Sequence, residues 1–271
     1  MHLPLVIKPE QLAAQLNQPE LIILDLSKEE TYQAGHIPGA IHVSPARLLR
    51  GEGTVPNKIP TEAQLSALFS EVGLNDSSHV VVYDDQMGPL AGRMIWTLHS
   101  IGHKACSFLD GHLSAWIEQS LPIESSPNRA EPSNYQATLS NKLLASAEQI
   151  QSHLNDTQYQ IWDARTEQEY TGAKVVNARK GGHIPGAKWL EWTDTLDLSG
   201  AYPVLKPIAE LETLLTERNL NKNSTIVTHC QTHRRSGLTY LVACYLGIED
   251  IRCYDGSWFE WGNLPDTPVE N

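Results

Sequence analysis

With 271 residues, 41% of them hydrophobic and 19% charged, the chain has ordinary globular composition and is long enough to build two cores. Its 32 acidic and 20 basic residues leave a formal net charge of −12, which argues against nucleic acid or an anionic membrane as the main partner but leaves room for a small anion held by a local cluster of cations. The four cysteines, Cys106, Cys230, Cys244 and Cys253, form no CxxC pair and have no close Cys/His ligand spacing, which excludes a disulfide framework and a structural zinc site.

The opening residues Met1 to Ile7 lack a charged start followed by a long apolar stretch. No run of about 18 apolar residues follows anywhere, so neither a secretory leader nor a membrane span is expected. A reducing cytoplasm, where a thiol can persist, is the expected setting.

Taken in order, the elements are written twice. Leu21–Asp25 reads as a strand, and the turn sequence Gly35-His36-Ile37-Pro38-Gly39-Ala40 follows it. Val80-Val81-Val82-Tyr83 is a short apolar strand reaching a polar end at Asp84, and Asp110-Gly111 with Trp116 completes the set. The polar, two-proline stretch from Glu124 to Ser133 then reads as an exposed linker.

The second copy repeats the same order: Tyr159–Asp163, then Gly182-His183-Ile184-Pro185-Gly186-Ala187, then the strand Thr225–Thr228 ending in His229-Cys230, then Asp255-Gly256 with Trp261. Leu238–Leu246 is long enough for a helix ended by Gly247. Strand, tight loop, helix, strand is the rhythm of an α/β fold with parallel sheets, whose functional groups gather at the carboxyl ends of strands. The boundaries read as 1–124 for the first domain, 125–140 for the linker and 141–271 for the second domain.

Cys230 stands at such a strand end. Cys106 and Cys253 fall beside or within strand-like runs and Cys244 lies mid-helix, so these three read as small buried apolar residues. Cys230 instead opens the run Cys230-Gln231-Thr232-His233-Arg234-Arg235-Ser236-Gly237 ahead of a helix. A short loop curled onto a helix N-terminus turns backbone N–H groups inward and makes an anion-binding nest. Such a nest, with Arg234 and Arg235 beside it, favours the thiolate, which is the nucleophilic form.

With these residues in place, the chain resembles the rhodanese superfamily, and within it the bacterial two-domain thiosulfate sulfurtransferases, over nearly its whole length. An aromatic followed after three residues by His-aliphatic-Pro-Gly-Ala appears as Tyr32 and His36-Ile37-Pro38-Gly39-Ala40, and the C-terminal signature as Tyr254-Asp255-Gly256-Ser257-Trp258-Phe259-Glu260-Trp261. Ile251 departs slightly from a pattern that prefers a smaller residue. The resemblance implies two tandem rhodanese-like domains, each a mostly parallel sheet flanked by helices.

It also implies the chemistry. The Cys230 thiolate takes the outer sulfur of a small anionic donor, thiosulfate, and a covalent persulfide passes that sulfur to a thiophilic acceptor such as cyanide or a thiol, without metal or organic cofactor. Arg235 and Arg234 would bind the substrate, with Gln231, Thr232, His233 and Ser236 forming the active-site loop. An iron–sulfur assembly partner is one conceivable acceptor, and a monomer is the expected state because the duplication already pairs two like domains.

In register with Cys230 the first copy carries Asp84, within a loop that has lost the cationic pair, so that copy is expected to be inactive. The histidines of the two His-Ile-Pro-Gly-Ala motifs read as scaffolding that bonds backbone, and Asp163 with Arg165 as an internal ion pair. Trp189, Trp192, Trp258 and Trp261 read as packing residues, Trp192 also as a wall of the pocket.

Three rival readings remain. A cysteine phosphatase of the same fold uses Cys-x5-Arg, whereas Arg235 here closes a loop one residue shorter, which suits a sulfur atom better than a tetrahedral phosphate. The mercaptopyruvate sulfurtransferase branch resembles Cys-Gly-Ser/Ala-Gly-Val-Thr, small and nearly neutral, against the bulkier cationic loop here. The vertebrate thiosulfate enzymes carry a basic residue where Thr232 stands and a substrate-binding arginine where Glu169 stands. A non-enzymatic interaction module fits the first copy but not a second copy with an intact cysteine.

Overall fold

The computed structural model describes residues 3–271; Met1 and His2, which begin the stretch read for a leader, lie outside the described residues. The chain gathers into two compact units.

The first unit is built on a five-stranded parallel sheet in the order Val6–Ile7, Cys106–Leu109, His79–Tyr83, Leu21–Asp25, Ala40–His42. The central strand His79–Tyr83 is buried at every position, as a strand covered by helices on both faces must be. Helix Pro89–Ser100 is buried along almost its whole length, Glu62–Glu71 begins at a reciprocal Thr61–Gln64 cap, and His112–Glu118 sends Trp116 into the core.

The second unit repeats the design with four parallel strands, in the order Ile251–Cys253, Thr225–His229, Tyr159–Asp163, Lys188–Trp189. Leu144 adds a single bridge beside Cys253 where the first unit has its edge strand. The α/β architecture with helix-flanked parallel sheets expected for both halves is therefore present in each.

The units are not cut straight along the chain. Residues 125–140, drawn from sequence as a linker, run along the first unit: Ser133 donates its N–H to the Ser70 carbonyl at 2.8 Å, Ala137 to Ser66 Oγ at 2.9 Å and Ser140 to the Ser100 carbonyl at 2.8 Å. Two short arms are exchanged, with Gly51–Lys58 in the second unit and Asp197–Leu205 in the first. Each arm docks on the repeated Asp-Gly. In the first unit Leu205 donates its N–H to Asp110 Oδ1 at 2.8 Å, and the Tyr202 ring lies over Gly111. In the second, Lys58 pairs with Asp255 and Glu260, both at 3.2 Å, and the Asn57 amide donates to the Asp255 carbonyl.

The helix after Cys230 runs Arg235–Tyr245, three residues earlier than the apolar run begins, and Gly247 beyond it adopts φ +74°. Arg235 and Ser236 therefore occupy its first turn rather than the loop.

Candidate active site

Strand Thr225–His229 delivers Cys230 to the carboxyl end of the second sheet, and the chain turns at once into helix Arg235–Tyr245. The turn is closed by His233 in the left-handed region, φ +47°. That conformation curls the loop around the sulfur, to which the N–H groups of Thr232 and Ser236 hydrogen-bond. Ser236 Oγ stands 3.5 Å from Sγ, and His233 Nδ1 lies 2.7 Å from the same Oγ.

The outward side of the loop is held as well. Trp258 and Phe259 donate their N–H groups to the carbonyls of Cys230 and Gln231 at 2.9 and 3.0 Å, so the Tyr254–Trp261 signature clamps the loop it follows. Gln231 Nε2 donates to the Val176 carbonyl at 2.5 Å. A cradle fixed from both faces needs little reorganisation when charge develops inside it.

Burial of Cys230 by itself pushes its thiol up, but the Arg235 guanidinium, the Ser236 hydroxyl and the N–H groups of Ser236 and Thr232 outweigh it, and the thiol lies below its ordinary value of 9.0. The surroundings favour the thiolate over the thiol more than water does.

The two arginines part company. Arg235 faces the sulfur and pairs in two-pronged fashion with Glu169, at 2.7 and 2.9 Å. Burial would raise the Glu169 carboxyl, and the Arg235 bonds with those from Thr166 hold it below the usual range instead. Arg234 is exposed at the turn into the helix. The cationic pair read from sequence is thus one guanidinium at the sulfur, half-neutralised by a carboxylate, and one in solvent. The partnership of Glu169 with Arg235 has no sequence signal, because they lie 66 positions apart along the chain.

Beneath the loop, Asp163 accepts from Arg165 Nε at 3.0 Å and Nη2 at 2.6 Å, all of it buried, and the guanidinium lies 4.2 Å over the Trp258 ring. This is the internal pair expected from the sequence. His229 adds to it, with Nε2 3.5 Å from Asp163 Oδ2, and burial lowers its imidazole toward the neutral form. Sequence reasoning missed His229, although its place directly before the cysteine, in register with Asp163, was a usable signal.

The scaffold histidines bond backbone: Nδ1 of His36 and of His183 meet the carbonyls of Tyr32 and Tyr170 at 2.8 and 3.0 Å, each ring stacked on that tyrosine. Trp258 and Trp261 are buried in the second core. Trp189 and Trp192 are half-buried, and the turn at Trp192–Thr195 packs on helix Arg235–Tyr245. Cys106 begins a strand, Cys253 ends one and Cys244 lies in a helix.

The first unit holds the same loop with different chemistry. Met87, in register with His233, is also left-handed at φ +67°, so the backbone curl is common to both copies. Asp84 occupies the cysteine's place, and its carboxylate accepts from the N–H groups of Gln86, Gly88, Leu90 and Ala91 at 2.8 to 2.9 Å. The nest is filled by the protein's own anion.

Among the described residues no group of three or more His, Cys, Asp and Glu is arranged to hold a metal, and no helix is long and apolar enough to cross a membrane.

Comparison with known proteins agrees with this duplication. The rhodanese-like domain matches twice, at residues 8–119 and 146–264. The thiosulfate sulfurtransferases of Pseudomonas aeruginosa and Azotobacter vinelandii are 44% and 45% identical over 268 residues, covering 99% of this chain and 97% of each relative. The crystal structure of SseA, a 3-mercaptopyruvate sulfotransferase of Escherichia coli, shares the fold with a TM-score of 0.84 at 24% identity, covering 94% of this chain and 99% of that one. The chain belongs to the rhodanese family, with a rhodanese-like domain in each half.

Proposed function

We propose that this protein is a thiosulfate sulfurtransferase whose second unit does the chemistry through Cys230. The observation that carries the reading is the depressed Cys230 thiol inside a loop of inward N–H groups. The names and near-complete overlap of the bacterial relatives supply the donor.

The transfer runs in two displacements. The Cys230 thiolate attacks the outer sulfur of thiosulfate; the S–S bond of the donor breaks, its electron pair leaves with sulfite, and a Cys230 persulfide remains. Cyanide or a thiolate then attacks the terminal sulfur, and Cys230 departs as thiolate again. No external electron carrier is consumed, and splitting one transfer into two predicts ping-pong kinetics. The inward N–H groups would stabilise the persulfide's terminal charge, and Arg235 would draw the sulfonate end of the donor.

In this reading the thiol works in a reducing cytoplasm, the protein acts as a monomer, and Asp84 leaves the first unit without sulfur chemistry. Mass spectrometry after thiosulfate treatment is expected to show about 32 Da added at Cys230 and nowhere else. Failure to take up that mass would overturn the persulfide mechanism. Comparing kcat/KM for thiosulfate, mercaptopyruvate and a phosphoester separates the rival donors, with thiosulfate expected to lead.

A further inference from the structure

A serine hydroxyl carries one proton, and Ser236 Oγ has two neighbours competing for it: Cys230 Sγ at 3.5 Å and His233 Nδ1 at 2.7 Å. A thiolate has no proton to give, so a hydrogen bond to it must use the hydroxyl's. Oγ can spend its proton there only if His233 holds a proton on Nδ1 and donates it to Oγ. The opposite tautomer would draw the hydroxyl proton to Nδ1 and turn an oxygen lone pair toward the sulfur.

We propose that His233 is a positioning residue for the sulfur: by donating from Nδ1 to Ser236 Oγ it commits the serine proton to Cys230. All three residues are fully buried, so water does not compete for these bonds.

The inert copy is the internal control. Its loop has the same left-handed residue, Met87, and Leu90 stands in register with Ser236. The backbone curl therefore does not call for histidine, and the pair with a donor ring and a hydroxyl is present only where the loop surrounds a cysteine. Burial and Arg235 act on the thiol as well, but neither decides which way the serine proton points.

This inference rests on the sulfurtransferase reading of Cys230, and its test is independent of turnover. The pH dependence of Cys230 alkylation by iodoacetamide, followed by mass spectrometry, reads the thiolate directly. His233→Met copies the residue the sister loop already carries and so should fold. It is expected to slow alkylation on the acid side of the inflection by about tenfold, as loss of a hydrogen bond to a charged group implies. Ser236→Ala should do the same, and the double variant should add little to either. His233→Asn, which tolerates the left-handed conformation and carries an amide N–H close to the Nδ1 position, should restore most of the rate. An unchanged profile in His233→Met, or fully additive effects in the double variant, would overturn the proposal. A wild-type protein with a normal alkylation profile that takes up no sulfur would instead overturn the sulfurtransferase reading alone.

Discussion

Arg235 grips Glu169 with both arms of its guanidinium, Nη1 to Oε2 at 2.7 Å and Nη2 to Oε1 at 2.9 Å, while the same guanidinium faces the Cys230 sulfur. One cation therefore serves both a carboxylate and the reactive sulfur before any substrate arrives. The pair holds the side chain in a fixed pose and also cancels part of the charge that an anionic donor would meet.

That balance is open to measurement. Arg235→Ala is expected to raise the thiosulfate KM at least tenfold, since it removes the guanidinium that faces the sulfur. Glu169→Gln keeps the shape and one acceptor but deletes the opposing charge. It should lower KM, on the order of threefold to tenfold after solvent screening. Steady-state kinetics at constant ionic strength decide the matter, and an unchanged KM in both variants would place the donor away from Arg235.

The depressed Cys230 thiol fixes a pH dependence with a definite sign. The ordinary value is 9.0 and the folded value lies below it, so the reactive anion persists as pH falls beneath 9.0 and is lost only through the lower folded value. Single-turnover sulfur uptake should rise with pH with its inflection below pH 9. Arg235→Ala removes the largest of the influences opposing burial and should move the inflection upward. A wild-type inflection at or above 9 would contradict the environment described for the sulfur.

Much of the fold could be read from the chain because it is written twice, and repetition turned single motifs into paired ones. Cys230 stood out for the same reason, since Asp84 shares its place and cannot carry sulfur. What escaped was contact between residues distant in sequence. Glu169 looked like a missing cation, and its partnership with Arg235 depends on the short helix Glu167–Tyr170 reaching the loop. The exchange of Gly51–Lys58 and Asp197–Leu205 was equally hidden, because charges such as Lys58 and Glu260, 202 positions apart along the chain, carry no mark of their pairing. His233 and Ser236 were identified as loop residues, but the proton order between them needs coordinates.

Asp84 offers a test of the filled nest. Four N–H groups point at one fully buried carboxylate, so Asp84→Ala leaves donors without acceptors at the start of helix Pro89–Ser100. The loss should be on the order of 3 kcal/mol for the first unit, and Asp84→Asn, which keeps one acceptor oxygen, should lose less. Hydrogen exchange locates the effect. The amides of Gln86, Gly88, Leu90 and Ala91 should lose protection together, and retained protection in Asp84→Ala would show that the nest does not depend on the carboxylate.

The two strand-end aspartates make the last contrast. Asp163 faces Arg165 and His229, which more than offset its burial and hold its carboxyl below the ordinary 3.8. Asp25 occupies the matching position in the first sheet, where Ser27 replaces the arginine and Tyr83 the histidine, and burial raises its carboxyl. The signs then oppose each other. The Asp163 contribution is present above pH 3.8 and is lost as pH falls through the lower folded value, whereas that of Asp25 is full below 3.8 and is lost as pH rises through the higher folded value. At pH 7 a charge at Asp25 costs stability, so Asp25→Asn, still accepting from the Ser27 N–H, should stabilise the first unit or leave it unchanged. Asp163→Asn strands a buried guanidinium and should cost about 3–5 kcal/mol. Urea denaturation at pH 7, read by exchange at strands Leu21–Asp25 and Tyr159–Asp163, distinguishes the two, and equal losses in both variants would refute the assignment.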